Sequence, residues 1–199
     1  MNDLDGHAAA RRARRARRVS RGPRAHARNV IDTGRIRLRE VPPAEAQTLA
    51  HHIHCGAYAW AEGYPVHGTL MASRMLLKQI ETLQWRLGFG MYQIIRRGDE
   101  TIVGDIGFHG APDAEGQVAI GFGLAPSARG QGYATEALVA LTRWALGQPD
   151  VRAVLADTTH DNGASQAVMT RAAFRHVRDD REVRYYEVRP DSASSEARP

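Results

Sequence analysis

The chain has 199 residues, of which 43% are hydrophobic and 25% are charged. These values fit one globular domain and argue against a collagen-like repeat, a coiled coil or a fully disordered chain. No apolar run reaches the roughly 18 residues that a membrane-spanning helix needs, and no secretory signal follows the N-terminal arginines. A single cysteine, Cys55, excludes an intrachain disulfide and a metal site with several thiolates. We expect a cytoplasmic enzyme or binding domain that does not bind membranes.

The positive charge is concentrated near the N-terminus. The formal net charge is +5, but nine of the 27 basic residues and two of the 22 acidic residues precede Asn29, which leaves 18 basic and 20 acidic residues. We therefore expect a basic, disordered arm at 1–34, a folded domain at 35–189 and a disordered tail at 190–199. The alternatives for the arm are a transit-like segment and an anion-binding segment. Nucleic acid is expected to bind, if at all, only through residues 11–28.

The apolar pattern predicts a mixed α/β domain with about seven strands and four helices. In chain order, the sequence predicts a strand at 35–39, a helix from Pro42–Pro43 to about Cys55, a second helix, strands at 91–97, 101–110 and 116–124, a helix at 130–146, a strand at 151–157, a helix from about Asn162 to Ala173, and strands at 174–179 and 183–189. The second helix has Thr69 as a possible N-cap and Gly88 as its stop, with one apolar stripe formed by Leu76, Ile80, Leu83 and Leu87. This order is not the regular alternation of a doubly wound sheet.

The segment from Gly116 to Ala134 has features of an anion-binding site. Its strand alternates between an apolar face and a nearly bare face formed by Ala119, Gly121 and Gly123. The loop Arg129-Gly130-Gln131-Gly132 follows and leads into a helix. Backbone N–H groups at such a helix start can bind phosphate, and glycine has no Cβ to keep the phosphate away. A loop whose glycines merely turn the chain is the alternative.

This segment resembles the R/Q-x-x-G-x-G/A motif of the GNAT superfamily of acetyl-CoA-dependent N-acetyltransferases, with Arg129 to Ala134 at the motif. The resemblance extends over roughly residues 35 to 189 and includes Gly104 to Gly110 and Asp161 to Gln166. It is greatest to the branch that includes ribosomal-protein N-terminal acetyltransferases. It implies a central, mostly antiparallel twisted sheet. It also implies direct transfer of an acetyl group from acetyl-CoA to a primary amine, on a protein N-terminus or a small molecule, in a ternary complex.

The resemblance also implies which residues bind acetyl-CoA. The pyrophosphate would lie on the backbone N–H groups of the loop, and the pantetheine would pair with the preceding strand as an added strand. The residues implied are Phe122, Gly123, Leu124, Arg129, Gly130, Gln131, Gly132, Tyr133, Ala134, Thr135, Asn162 and Ser165. Asn162 and Ser165 could also form the start of a helix, and both roles can coexist.

The residues that would move protons are less evident. Related enzymes often use a glutamate and a tyrosine, but Ala119 and Met169 stand at the matching positions. His109 is a candidate general base, with a structural histidine as the alternative. Asp105 shares its strand face but lies about 13 Å away, too far to orient the imidazole. Tyr186 is a candidate proton donor, with core packing as the alternative.

Two aromatic residues are candidates for the acceptor site. The resemblance places Trp60 and Tyr64 at one wall of this site, and core packing is the alternative. His51, His54 and Cys55 match no recognised metal-ligand spacing, so we expect no metal. Two other functions stay open: an acyl-CoA-binding domain without catalysis, and a nucleic-acid-binding protein that acts through the arm. The oligomeric state is left open.

Overall fold

The computed structural model describes residues 29–54 and 57–190. The elements in chain order are β1 (Val30–Asp32), β2 (Ile36–Glu40), α1 (Pro43–Ala50), β3 (Ala59–Trp60), α2 (His67–Glu81), β4 (Met91–Arg96), β5 (Thr101–Phe108), β6 (Gln117–Leu124), α3 (Tyr133–Leu146), β7 (Ala153–Thr159), α4 (Gly163–Arg171), β8 (Arg175–Asp179) and β9 (Val183–Val188). A short 3₁₀ turn, Pro126–Ala128, lies between β6 and α3. The four helices agree with the number predicted. Two strands, β1 and β3, add to the seven predicted, because two or three residues are too few to show a period.

The strands form one open sheet in the order β1-β2-β4-β5-β6-β7-β9-β8, and β3 pairs with the start of β5. All pairs are antiparallel except β6 with β7 and β3 with β5. The predicted mixed α/β fold with a mostly antiparallel sheet is therefore confirmed. Within the described ranges, no helix is long and apolar enough to cross a membrane.

Helices cover both faces of the sheet. Along β5, Asp105 faces α2, where Thr69 donates a hydrogen bond to it, whereas Phe108 faces the other way and its ring lies 6.1 Å from that of Trp144 in α3. Alternation along a strand produces these two faces. We call them the α2 face and the α3 face. The apolar core on the α3 face includes Leu138 and Leu141, which are fully buried.

The folded part of the chain begins before residue 35. Val30 pairs with Arg39, and Asp32 pairs with Arg37, so that β1 and β2 form a hairpin. The boundary of the predicted arm at residue 34 is therefore too late. Residues 1–28 of the arm and 191–199 of the tail lie outside the described residues.

The first two helices end earlier than predicted. α1 stops at Ala50, and α2 starts at His67 and stops at Glu81. Thr69 lies inside the first turn of α2, where its hydroxyl accepts a hydrogen bond from the N–H of Val66. Leu83 has a positive φ of 56° and is 93% exposed, so the predicted apolar stripe is wrong beyond Ile80.

We expect Gly88→Ala to destabilise the protein by about 2–4 kcal/mol. Gly88 has φ +89°, and a Cβ there would lie 2.4 Å from the ring of Trp144. This ring also packs on Phe89, so it has little room to move. Gly98→Ala is the matched control, because a Cβ at Gly98 has no heavy atom within 4 Å. Urea denaturation measures both variants, and equal stabilities would contradict the prediction.

Candidate functional site

β6 separates from β7 partway along its length. Only Gln117 to Ala119 pair with β7, whereas Ile120 to Leu124 pair with β5 alone. The edge of β6 that faces β7 therefore has no strand partner at 120–124 among the described residues. Unpaired N–H and C=O groups along such an edge can bind an extended chain as an added strand.

The loop after β6 presents a row of free donors. Gly130 and Gly132 have φ angles of +75° and +82°, a region that glycine adopts without strain. Among the hydrogen bonds of the described residues, none uses a backbone N–H from 130 to 135 as donor. The hydroxyl of Thr135 is buried and likewise lacks a partner in this part of the chain. Consecutive free N–H groups at the start of α3 form a site suited to phosphate.

The β1–β2 turn braces this loop from outside. Arg35 donates to the carbonyl of Gln131 at 2.9 Å and forms an ion pair with Glu136 at 2.7 Å. Burial opposes the charge of Glu136, but hydrogen bonds from Thr33 and Arg35 hold the pKa of this carboxyl below its usual value. The sequence did not predict these contacts, because Arg35 and Glu136 lie about a hundred residues apart in the chain.

A cavity of about 380 Å³ lies between α2 and the sheet. Met71, Met75 and Met91 contribute apolar surface, and the sheet side includes Asp105, Gly107, His109, Gly121 and Gly123. Gly121 and Gly123 belong to the strand face predicted to be bare. The cavity therefore adjoins β6 at the residues whose outer edge is unpaired.

Asp105 is the buried acid of this cavity. Its residue is 5% exposed, and its Oδ2 accepts a hydrogen bond from the hydroxyl of Thr69. Burial raises the pKa of Asp105 to about 7, although the Thr69 hydrogen bond opposes this shift. Sequence reasoning considered Asp105 only as a partner of His109 and missed it as a site residue. The available signal was an acid in the middle of a strand, on the same strand face as Gly107.

A row of polar side chains leads across the sheet to this acid. Arg39, Gln93, Asp105 and Gly123 are successive cross-strand partners. The guanidinium of Arg39 donates to Gln93 and pairs with Glu45 at 2.6 Å. Glycine at the end of the row leaves Asp105 without a side-chain neighbour on β6.

His109 lies at the exposed side of the cavity. Its Nε2 is 3.0 Å from the point that a Cβ on Gly121 would occupy, so its ring lies over this glycine. Its backbone N–H donates to the carbonyl of Ala119 at 2.9 Å. This placement beside the bare strand face agrees with the predicted orientation, while its role as a base stays a prediction.

Tyr186 lies on the other face of the sheet, contrary to the predicted role. Ala119 pairs with Leu155, which pairs with Glu187, so the cavity face continues through Glu187. Tyr186 is the next residue along β9 and therefore points to the α3 face, where it is 5% exposed. Its phenol cannot donate a proton into the cavity from this position.

The predicted acceptor-wall aromatics pack against each other. The rings of Trp60 and Tyr64 lie 5.5 Å apart in an edge contact, and neither residue lines the cavity. Burial and the negative charge of Asp105 raise the pKa of the Tyr64 phenol well above its usual value. Tyr64 therefore lies near Asp105 and keeps its proton. Contact of either ring with the acceptor stays a prediction.

Asn162 and Ser165 form a helix cap. The side-chain oxygen of Asn162 accepts a hydrogen bond of 3.1 Å from the N–H of Ser165 at the start of α4. Met169, which stands where relatives often have a tyrosine, is 1% exposed. The cap agrees with the structural alternative for both residues, and cofactor contact remains a second role for them.

The structure also places the histidines considered as metal ligands. The ring nitrogens of His51 and His54 bond to the backbone carbonyls of Gln47 and Tyr58, at 2.8 and 2.9 Å. Cys55 lies outside the described residues. Within the part of the chain described, no group of three or more His, Cys, Asp or Glu residues could hold a metal ion.

Comparison with solved structures shows the same fold in several acetyltransferases. RimL, a ribosomal L7/L12 alpha-N-protein acetyltransferase solved with coenzyme A, has a TM-score of 0.60 at 18% identity, over 82% of this chain and 99% of that one. A ribosomal-protein-S5-alanine acetyltransferase from Vibrio fischeri has a TM-score of 0.57 at 12% identity, over 82% and 98%. The microcin C7 self-immunity acetyltransferase MccE, solved with acetyl-CoA and AMP, has a TM-score of 0.54 at 15% identity, over 79% and 93%.

Comparison of sequences shows the family. A protein from Bacillus subtilis (strain 168), named Uncharacterized N-acetyltransferase YjdG, is 38% identical over 149 residues, which are 73% of this chain and 89% of the relative. The family described as Acetyltransferase (GNAT) domain matches residues 35–175. Because this match spans most of the chain and agrees with the fold, the protein belongs to the GNAT acetyltransferase family and is an acyltransferase.

Proposed function

We propose that this acyltransferase moves the acetyl group of acetyl-CoA directly to a primary amine in a ternary complex. One observation carries the proposal: the unpaired edge of β6 at 120–124 leads into the free N–H groups at 130–135. An extended chain that ends in a pyrophosphate has the shape and charge that this pair of features would bind.

The residues of the loop suit the phosphate end of the cofactor. The N–H groups of Gly130 to Thr135 would donate to the pyrophosphate, and the positive end of the α3 dipole would favour its charge. Arg35 would act indirectly, since it holds Gln131 and Glu136 in place. Arg129 is exposed, and its Nε donates to the carbonyl of Leu124 at 3.3 Å, which connects the loop to the end of β6.

The remainder of the cofactor suits β6. Within Phe122 to Leu124, the backbone groups that face the open edge of β6, namely the N–H and C=O of Phe122 and the N–H of Leu124, would bond the amides of the pantetheine in the manner of an added strand. When bound, acetyl-CoA supplies a thioester, which is an acetyl group activated for attack by a nitrogen nucleophile.

The cavity on the α2 face would hold the amine. The amine in this cavity would lie close to the acetyl group on the open edge of β6, because Gly121 and Gly123 have no side chains that would separate the two. Direct transfer needs this proximity and a neutral amine. Two titratable side chains line the cavity, the exposed His109 and the buried Asp105. A covalent acetyl-enzyme is not required.

The acceptor in this proposal is a protein N-terminus or a small-molecule amine. Structural neighbours named for ribosomal proteins support the first class, whereas MccE shows that the fold is not confined to enzymes named for ribosomal proteins. A cytoplasmic location is part of the proposal and rests on the sequence composition.

A panel of amines tests the proposed function. Purified protein is incubated with acetyl-CoA and either peptides with free N-termini or small primary amines, and free thiol and acetylated product are measured. We expect equal amounts of thiol and N-acetyl product with at least one class. Binding of acetyl-CoA without product from any amine in the panel would contradict the proposal.

A further inference from the structure

We infer that Asp105 is the catalytic residue that binds the ammonium group of the acceptor and takes its proton, and that the acceptor carries an apolar group beside its amine. This inference rests on the proposed function and deepens it. It assigns a general base to a chain that has Ala119 where related enzymes often have a glutamate.

The position of Asp105 fits this role. It lines the cavity on the same sheet face as Gly121 and Gly123, directly across from Gly123 on β6. That strand edge is where the thioester is expected, so the acid lies one strand from the reacting carbon. His109 lines the same cavity, but it is exposed and four residues farther along the chain.

Hydrogen bonds hold the carboxyl group in one orientation. The hydroxyl of Thr69 accepts from the N–H of Val66 and so directs its own hydrogen to Oδ2 of Asp105. Among the described residues, no hydrogen bond uses the other oxygen, Oδ1. That oxygen is therefore available to an ammonium group in the cavity, and Thr69 acts as a positioning residue.

The neighbours of Asp105 do not neutralise it. Gln93 on β4 is uncharged, and Gly123 on β6 has no side chain. Arg39 on β2 is the nearest cation along the row, but it is paired with Glu45. Tyr64, before α2, keeps its proton, so it adds no charge. A buried carboxylate with this environment favours a cationic ligand.

The walls of the cavity indicate the substrate class. Met71, Met75 and Met91 offer flexible apolar surface, and Asp105 is the one acid among the lining residues. An acceptor with an apolar group next to a single ammonium matches this lining. We therefore expect hexylamine to be acetylated with a kcat/KM at least about tenfold above that of ethanolamine, since burial of methylene groups is favourable.

Atoms and electrons balance in the proposed step. One N–H bond of the ammonium breaks, the proton goes to Oδ1 of Asp105, and the nitrogen keeps the electron pair. This pair forms the new C–N bond, the C–S bond breaks, and the leaving thiolate takes a second proton from the nitrogen. Asp105 then releases its proton to water, which leaves one amide, one thiol and one proton.

The first test needs no acetyl-CoA. Protein labelled with ¹³C at aspartate carboxyl carbons is titrated by NMR with and without hexylamine, and Asp105→Asn identifies the signal. A bound ammonium stabilises the carboxylate, so we expect saturation with hexylamine to lower the Asp105 pKa by about one unit or more. A pKa that does not move at high hexylamine concentration would overturn the inference.

The second test is kinetic. With hexylamine as acceptor, Asp105→Asn should lower kcat by about 10²- to 10⁴-fold while acetyl-CoA affinity changes little. Asp32→Asn, an exposed carboxylate on β1, is the control and should change kcat by less than about twofold. Thr69→Val should move the midpoint of the pH–rate profile upward, because it removes the hydrogen bond that favours the carboxylate.

The outcomes separate the two proposals. A shifted Asp105 signal without acetyl transfer to any amine would count against the proposed function and support the binding part of this inference. A different result would overturn the inference about Asp105. If His109→Ala loses activity while the kcat of Asp105→Asn stays within about threefold of the wild-type value, the base is His109.

Discussion

Gly132→Asp is expected to weaken acetyl-CoA binding by about 30-fold or more, equivalent to about 2 kcal/mol. The new carboxylate would lie at the start of α3, beside N–H groups proposed to bind the pyrophosphate. It would repel the phosphates and compete with them for these donors. Titration calorimetry with acetyl-CoA measures the effect.

Gly132→Asn is the matched control for this change. Gly132 has φ +82°, a region that Asn and Asp tolerate better than most residues, and a Cβ there would lie 3.2 Å from a guanidinium nitrogen of Arg35. Both variants require the same small movement of Arg35, so their difference isolates the charge. Equal affinities of a folded Asp variant and the wild type would remove the loop as the phosphate site.

Asp105→Asn is expected to make the protein more stable at pH 8, by about 1–4 kcal/mol. Burial raises the pKa of Asp105 from its usual 3.8 to about 7, so the folded state holds this proton more tightly than the unfolded state. The resulting stabilisation is full below pH 3.8 and is lost as the pH rises through about 7. Asparagine has no proton to lose and avoids the buried charge.

Urea denaturation of both proteins at pH 5 and pH 8 tests this expectation. The stability difference between variant and wild type should grow with pH. The hydroxyl of Thr69 can still donate to the amide oxygen of the variant, so the substitution keeps this hydrogen bond. A difference that does not change between these pH values would show that Asp105 is ionised in the fold at both. If Asp105 is ionised at both pH values, its titration would also give no midpoint near neutrality in the pH–rate profile.

Local patterns in the sequence predicted the elements that carry the proposed cofactor site. Alternation between Val118 and Leu124 indicated a strand with one bare face, and glycines before α3 indicated the loop that is proposed to bind phosphate. Both signals are contained within about twenty residues, so no long-range contact was needed to interpret them. The apolar pattern also predicted the mixed α/β class, and the family resemblance added the central, mostly antiparallel sheet.

The remaining features depend on contacts between distant residues. Burial of Asp105 requires α2 to cover the sheet and Thr69, 36 residues earlier, to meet it. The face on which Tyr186 lies depends on the register of β7 with both β6 and β9. A strand of three residues such as β1 shows no period, so neither the β1–β2 turn nor the contacts of its Arg35 with Gln131 and Glu136 were predictable.

Amide NMR shifts on addition of coenzyme A give the most direct test of the proposed cofactor site. We predict that the largest changes fall on Gly130 to Thr135 and on 120–124, the free donors and the unpaired edge of β6. A depression along α3 adjoins the loop at Gly132 and Thr135 and continues to the basic side chains of Arg35, Arg143 and Arg171. Changes centred on Arg143 and Arg171, with the loop unaffected, would contradict the proposed cofactor site.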